Sequence, residues 1–423
     1  MSNWLHISPT SGNGNTQMTI SADTNDTTSF RRAKIVVTAG TMSKTIEVVQ
    51  YPTQGDITCK YTVSSGSFSV VDLGSYFEKV VVYAENGNSV VYTGTGATQS
   101  IDYATILGVQ EGDTITAQFY TTNHLLNTTW FNNLPQLKTL SINDGITGAT
   151  AYTTFSMVYN CQNLETIHIS GSMERFYSGE TIAHHTPIEY WDWTISLVMN
   201  CPKLSAFTGD NTLIQDSRTL SRDGNLVGAA LYGIEEYVVP SNITGVGACC
   251  FALPTGTSVQ QTIKSIVIPD SVTAIHNTYI GTAQWSNFYN CASLTSVTMA
   301  DTVVSATTPQ MFYGCSSLTD VRVSSGLTYW GAEMFAGCSS LQKLTIPESV
   351  TGIGTSIYSW ANSHSVFTGC TALTSITISN ATQPSSTTET FQGIATGGTL
   401  YHPEGSDYNL WLSGSPYYLG YYL

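Results

Sequence analysis

The chain has 423 residues, 41% of them hydrophobic, and its 14 Lys and Arg against 29 Asp and Glu leave a net charge of −15. So few cations cannot neutralise a row of phosphates, which excludes nucleic-acid binding; the apolar content excludes disorder, and no stretch approaches the roughly 20 apolar residues of a membrane helix. Charged residues are only 10% of the chain while 48 Ser and 61 Thr supply over a quarter of it, a balance that predicts β structure with hydroxylated outer faces.

The start, Met1-Ser2-Asn3-Trp4-Leu5, lacks the basic and apolar regions of a Sec leader. That predicts either a chain that bypasses Sec export or one whose leader is missing from this sequence. Residues 1–52 then run through Trp4-Leu-His-Ile-Ser-Pro-Thr-Ser-Gly12, Met18–Asp23, Arg32–Gly40 and Ser43–Gln50. Their alternation of period two, broken by Gly turns, predicts three or four antiparallel strands. The W-L-x-I-S-P-x-S-G opening, the R-x-A-x-I-x-V-x-x-G strand and the closing K-x-I-x-V-x-Q strand resemble a BACON domain, a small immunoglobulin-like β-sandwich of Bacteroidetes proteins and their phages. The resemblance implies a carbohydrate- or mucin-associated module or spacer, and it brings no catalytic residue. Residues 53–125 form a second small β domain, with strands at Val80–Tyr83, Val90–Tyr92 and Thr114–Phe119 and a hairpin turn at Asn86-Gly87. This unit is expected to cap the open end of the array that follows.

From 126 to 400 the chain repeats itself. Segments beginning at Phe288, Phe312, Phe335 and Phe367 align without gaps on F-x-[NG]-C-x-x-L-x-x-[ILV]-x-[IVM], placing Cys291, Cys315, Cys338 and Cys370 at one position. Val158 to Ile169 repeats the phrase around Cys161, Val198 to Phe207 more weakly around Cys201, and Phe131 to Ile142 with Leu134 in the cysteine slot. Spacings of 24 and 23 residues between Cys291, Cys315 and Cys338 lie within the roughly 20 to 29 of a leucine-rich repeat. The 32 residues from Cys338 to Cys370 imply an insertion around 360–364. Within each phrase, Leu and the two apolar residues after it predict a short strand with alternate side chains inward. The aromatic and the small Cys fill the turn before it. Phrases such as Ile346-Pro-Glu-Ser-Val-Thr-Gly-Ile353 predict a strand ending at Pro, a turn and a second short strand. The pattern resembles the BspA-like leucine-rich repeats of gut and oral bacteria, and the stretch from Cys201 to Gln261, with Cys249-Cys250, departs from it. Residues 401–423, from Tyr401-His-Pro-Glu-Gly405 through Trp411 to the tyrosines of 417–422, are expected to close the array.

Chemistry-bearing clusters are sparse. His184-His185, beside Glu180 and Glu189, is the most metal-like group, but adjacent residues of a strand point to opposite faces, so turn and surface roles are expected and no metal or cofactor is assigned. Six of the nine cysteines, Cys161, Cys201, Cys291, Cys315, Cys338 and Cys370, occupy the repeat position and are read as small buried structural thiols. The vicinal Cys249 and Cys250 are read as two reduced thiols in preference to a strained disulfide. No G-x-S-x-G, Walker A, HExxH or EF-hand loop is present, and no enzyme activity is expected. Tyr190-Trp191-Asp192-Trp193 is the candidate ligand site: two Trp and a Tyr can stack on a sugar while the carboxylate accepts its hydroxyls. The competing reading packs these aromatics on the repeat array. Trp285, Trp330 and Trp360 also fall between strands or in insertions.

These features predict a mainly β protein: a small immunoglobulin-like sandwich, a second small β domain, then an irregular leucine-rich-repeat solenoid. The function expected is non-catalytic recognition or structure. Because no leader precedes Trp4, the favoured location is a phage virion, as a head or tail fibre or decoration subunit. There it would bind surface glycan or protein, or other virion proteins through the N-terminal β units, and assemble as a homo-oligomer. The alternative is an exported bacterial cell-surface adhesin that binds host mucin or matrix glycans.

Overall fold

A computed structural model describes residues 4–13, 16–25, 31–50, 55–64, 68–69, 77–93, 100–101, 103–121, 125–127, 131–144, 146, 148–150, 158–171, 197–253, 262–276, 278–280, 283–306, 309–354, 365–386, 390–391, 393–408, 411 and 418–422. Almost every element is a strand, and the one helix among the described residues, Tyr103–Leu107, has a single turn. The fold class is thus mainly β, as the composition requires. The chain divides into two compact units, Met1–Leu126 with Lys138–Thr150 and His168–Ser178, and Asn127–Leu137 with Ala151–Ile167 and Gly179–Leu423.

In the first unit Leu5–Ser8 pairs antiparallel with Thr19–Ala22. Arg31–Ala39 pairs antiparallel with Met42–Gln50, around a turn that Gly40 makes at φ +58°. A sheet follows that includes, in order, Ser89–Thr93, Phe77–Ala84, Thr114–Thr121, Ile57–Thr62 and Leu137–Ile142. Strict alternation along Ile57–Thr62 buries Ile57, Cys59 and Tyr61, and Phe77 packs on Phe119 with ring centroids 5.0 Å apart. The expected hairpin is present, with Gly87 at φ +88° between the paired strands Phe77–Ala84 and Ser89–Thr93. Asp56 is buried, and its Oδ2 accepts from the Thr121 amide at 2.6 Å and hydroxyl at 2.8 Å, which offsets its lost hydration.

The second unit is a solenoid whose turns stack in parallel register. One ladder runs through Glu236–Val238, Ser265–Ile268, Ser296–Met299 and Asp320–Arg322. Its counterpart runs through Lys343–Ile346, Ser375–Ile378, Gly398–His402 and Tyr418–Tyr422. The short strand after each Pro turn forms a second set, Gly245–Val246, Ala274–Ile275 and Ser305–Ala306, then Tyr329–Trp330, Gly352–Ile353 and Ser385–Ser386. The F-x-[NG]-C turns make a third, beginning at Phe131–Asn132, Val158–Tyr159 and Val198–Met199 and continued by backbone bonds such as Phe312 N–H to the Met334 carbonyl at 2.8 Å.

The slots of the repeat now have physical reasons. The Asn/Gly slot is left-handed in every copy described: Asn160, Asn200 and Asn290 lie at φ 56°, 52° and 57°, and Gly314, Gly337 and Gly369 at 72°, 79° and 79°. Only Gly and Asn enter that region at low cost. The phenylalanines stack in a continuous column, Phe251, Phe288, Phe312, Phe335, Phe367 and Phe391, with centroids 5.1 to 6.0 Å apart and planes within 18° of parallel. Each ladder cysteine donates its S–H to a backbone carbonyl of the preceding turn: Cys291 to Phe251, Cys315 to Phe288, Cys338 to Phe312 and Cys370 to Phe335, at 3.1, 3.0, 3.2 and 3.1 Å.

Where the sequence leaves the repeat, an antiparallel insert of Ile214–Asp216, Thr219–Arg222 and Asn225–Ala229 joins the ladder by pairing Asn225 and Leu226 in parallel with Gly245–Val246. The Leu226 carbonyl then takes the place of a Phe carbonyl and accepts from Cys250 at 3.2 Å. At the far end Trp411 packs edge-on against Phe391 at 4.8 Å, and its indole N–H donates to Ser386 at 2.7 Å.

Candidate functional site

The sequence-derived ligand residues Tyr190, Trp191, Asp192 and Trp193 lie outside the described residues, as do Glu180, His184, His185, Glu189 and Trp360. Trp330 does not fall between strands: it forms a short strand with Tyr329, is fully buried, and meets Phe335 edge-on at 5.4 Å. It is a core residue.

The site that the fold builds is the outward side of the solenoid's two four-stranded parallel ladders. Inward positions of these strands are apolar and buried, and the alternate positions face out. Parallel register places Glu236, Ser265, Ser296 and Asp320 in one row and Val238, Val267, Thr298 and Arg322 in the next. In the following turns Lys343, Ser375 and Thr399 make one row and Thr345, Thr377 and Tyr401 the other. Rungs recur about every 4.8 Å and outward residues of one strand about every 6.6 Å, so the hydroxyls form a flat grid.

Ser and Thr elsewhere in the repeat spend their hydroxyls on the preceding turn. Thr295 donates to the Lys264 carbonyl at 2.9 Å, Thr302 to Val272 at 3.0 Å, Ser324 to Val303 at 2.7 Å and Ser349 to Leu327 at 2.7 Å. By contrast Ser265, Ser296, Thr298, Thr345, Ser375, Thr377 and Thr399 make no side-chain hydrogen bond to a described residue. Their donors and acceptors are left to solvent or a ligand. The rows carry Glu236, Asp320, Arg322 and Lys343; Arg322 meets Asp301 at 2.6 Å, and next to the ladder Lys264 meets Glu235 at 2.6 Å. The Ser325 amide and hydroxyl, then Arg322, hold the Asp301 carboxyl below its ordinary range. Such exposed pairs contribute well under about 1 kcal/mol each.

The four ladder thiols Cys291, Cys315, Cys338 and Cys370 offer no nucleophile. Burial pushes Cys291 and Cys370 up to about 12 and raises Cys315 and Cys338 strongly. All nine cysteines are free, and eight are buried, Cys249 and Cys250 among them; Cys201 is the exception. It lines a cavity of about 30 Å³ with Asn200, Pro202, Tyr232 and Cys250, room for a water molecule or two. At pH 8 a thiol titrating near 12 is ionised only about once in ten thousand. Brief maleimide treatment of the native chain is therefore expected to spare Cys291, Cys315, Cys338 and Cys370, which peptide mass mapping will check; full labelling should need denaturant.

Among the described residues no helix is long and apolar enough to cross a membrane. Solved structures similar to this chain include a leucine rich cell surface protein from Faecalibacterium prausnitzii, at 19% identity over 84% of this chain and 99% of that one, with a TM-score of 0.29. A leucine-rich repeat protein from Bacteroides ovatus matches at 15% identity over 85% and 99%, with a TM-score of 0.27. The pneumococcal vaccine antigen PcpA matches at 13% over 72% and 86%, with a TM-score of 0.33. No curated protein matches the sequence. Residues 2–51 match the BACON family, "Putative binding domain, N-terminal", and residues 230–365 match six copies of the BspA type leucine rich repeat region. The chain therefore carries a BACON domain at its N-terminus and a BspA-type leucine-rich-repeat region after it.

Proposed function

We propose that this is an exported bacterial cell-surface adhesin, without catalysis, that binds hydroxylated polymers such as host mucin or matrix glycans along the outward grid of its solenoid. The two families support a surface or binding protein in general terms. The observation that carries the finer reading is the set of unspent, register-aligned hydroxyls from Ser265 to Thr399. A grid of donors and acceptors whose four charges, on Glu236, Asp320, Arg322 and Lys343, sum to zero suits a neutral sugar chain, which offers the same groups at repeating intervals and brings no charge to desolvate. The virion location favoured by the sequence draws no support from either family match. Tyr190 to Trp193 remain a second proposed contact.

The test is mucin and glycan-array binding by the native chain and by the double variant Thr345→Val/Thr377→Val. Valine keeps the shape and strand preference of threonine and removes only the hydroxyl. At about 0.5–1.5 kcal/mol for each lost hydrogen bond, roughly tenfold weaker binding is expected with an unchanged unfolding midpoint. Native protein that binds no mucin or glycan would overturn the reading. Immunogold on the source organism is expected to mark the cell envelope; gold confined to phage particles would return the protein to the virion.

A further inference from the structure

Six thiols share the repeat position, and one of them, Cys201, is held differently. Val158 and Tyr159 pair in parallel register with Val198 and Met199, and the side chains of Asn160 and Asn200 are bonded at 2.7 Å. The next residues of the two turns are Cys161 and Cys201, on neighbouring rungs about 4.8 Å apart, inside the 4.4–6.8 Å Cα range of a disulfide. Cys161 donates to the Phe131 carbonyl of the preceding turn at 3.1 Å, as the later repeat thiols do to theirs. In the later turns each thiol is fully buried and held by the preceding Phe carbonyl at 3.0 to 3.2 Å. Cys201 instead donates to the carbonyl of Met199, in its own turn, at 3.4 Å. It is also the one cysteine that is not buried. The column is interrupted immediately after it, because the antiparallel insert stands where the next F-x-[NG]-C turn would be, and the small cavity lined by Cys201 and Asn200 marks the gap.

We infer that Cys161 and Cys201 form a reversible disulfide when the protein meets a disulfide oxidant. In the balanced step the Cys201 thiolate attacks one sulfur of a small disulfide such as oxidised glutathione and expels one thiolate, which takes up a proton. Cys161 then loses its own proton and displaces the second thiol from the mixed disulfide. The protein gives up two hydrogens and two electrons, and the oxidant becomes two thiols. Its partial exposure makes Cys201 the attacking thiol and buried Cys161 the resolving one. Burial and the neighbouring thiol hold Cys201 well above its ordinary value, so the reaction speeds up with rising pH. The bridge closes the stretch between 161 and 201, which contains Tyr190 to Trp193.

The experiment is incubation of the native chain with oxidised glutathione at pH 7 and pH 9, followed by non-reducing peptide mapping. The expected result is one disulfide, Cys161 to Cys201, formed faster at pH 9, with the other seven thiols free and the mass lower by two hydrogens. Cys161→Ser should stop at a single glutathione adduct on Cys201, a trapped intermediate that a merely structural thiol would not give. The wild-type map needs no variant to fold. Nine thiols that stay free in the native chain, or a disulfide mapped to Cys249 and Cys250, would overturn the inference.

Discussion

Phe335→Ala is expected to cost about 3–5 kcal/mol of stability in the repeat array, the range for truncating a buried aromatic. Its ring is fully buried and sits between Phe312 at 5.2 Å and Phe367 at 6.0 Å, with Trp330 edge-on at 5.4 Å. A solenoid turn is stabilised only by its two neighbours, so the loss falls on both contacts at once and no distant packing compensates. Its carbonyl also receives the Cys370 S–H at 3.1 Å, so backbone relaxation into the void would loosen that bond too. Phe391→Ala, at the end of the column with one Phe neighbour and the Trp411 edge, should cost less. Thermal unfolding followed by the fluorescence of buried tryptophans checks both, and equal midpoints for the two variants would sink the nearest-neighbour account.

Gly326→Ala should destabilise for the opposite reason. A Cβ there would stand 2.6 Å from the Val303 carbonyl oxygen, 2.7 Å from that of Asp301 and 2.9 Å from a Val304 methyl. Two of these atoms are backbone of the preceding turn, so relief requires the turns to separate, and overpacking of this kind costs typically about 1–3 kcal/mol. Gly397 is the control. It too is a turn glycine, at φ +76°, but nothing lies within 4 Å of its would-be Cβ. Gly397→Ala should cost only the left-handed strain of about 1–2 kcal/mol, and urea unfolding of the two variants separates clash from strain.

The repeat was legible because its slots answer to local physics. An Asn or Gly every turn reports a left-handed residue, a Leu and alternate apolar residues report a strand with one buried side, and a Pro after that strand reports where it must stop pairing. The antiparallel insert at 214–229 was not legible. Its strands carry no repeat signature, and the substitution of the Leu226 carbonyl for a Phe carbonyl exists only in three dimensions. Trp330 was misplaced for a related reason: its strand has two residues, too few for alternation to show.

By itself the sequence determined the mainly β class, the BACON-type start, the period of the solenoid and the structural standing of its thiols, since each follows from residue type at fixed spacing along the chain. Tertiary structure alone decided which hydroxyls are spent and which are offered. Thr295 and Thr298 are the same residue three positions apart, yet the first bonds the carbonyl of the preceding turn and the second faces outward. It also decided that Cys201, written like the other repeat cysteines, is the one left partly exposed and bonded within its own turn. Stacking sets both distinctions, because what a side chain can reach in a solenoid belongs to the turn beside it, which lies 20 to 40 residues away in the chain.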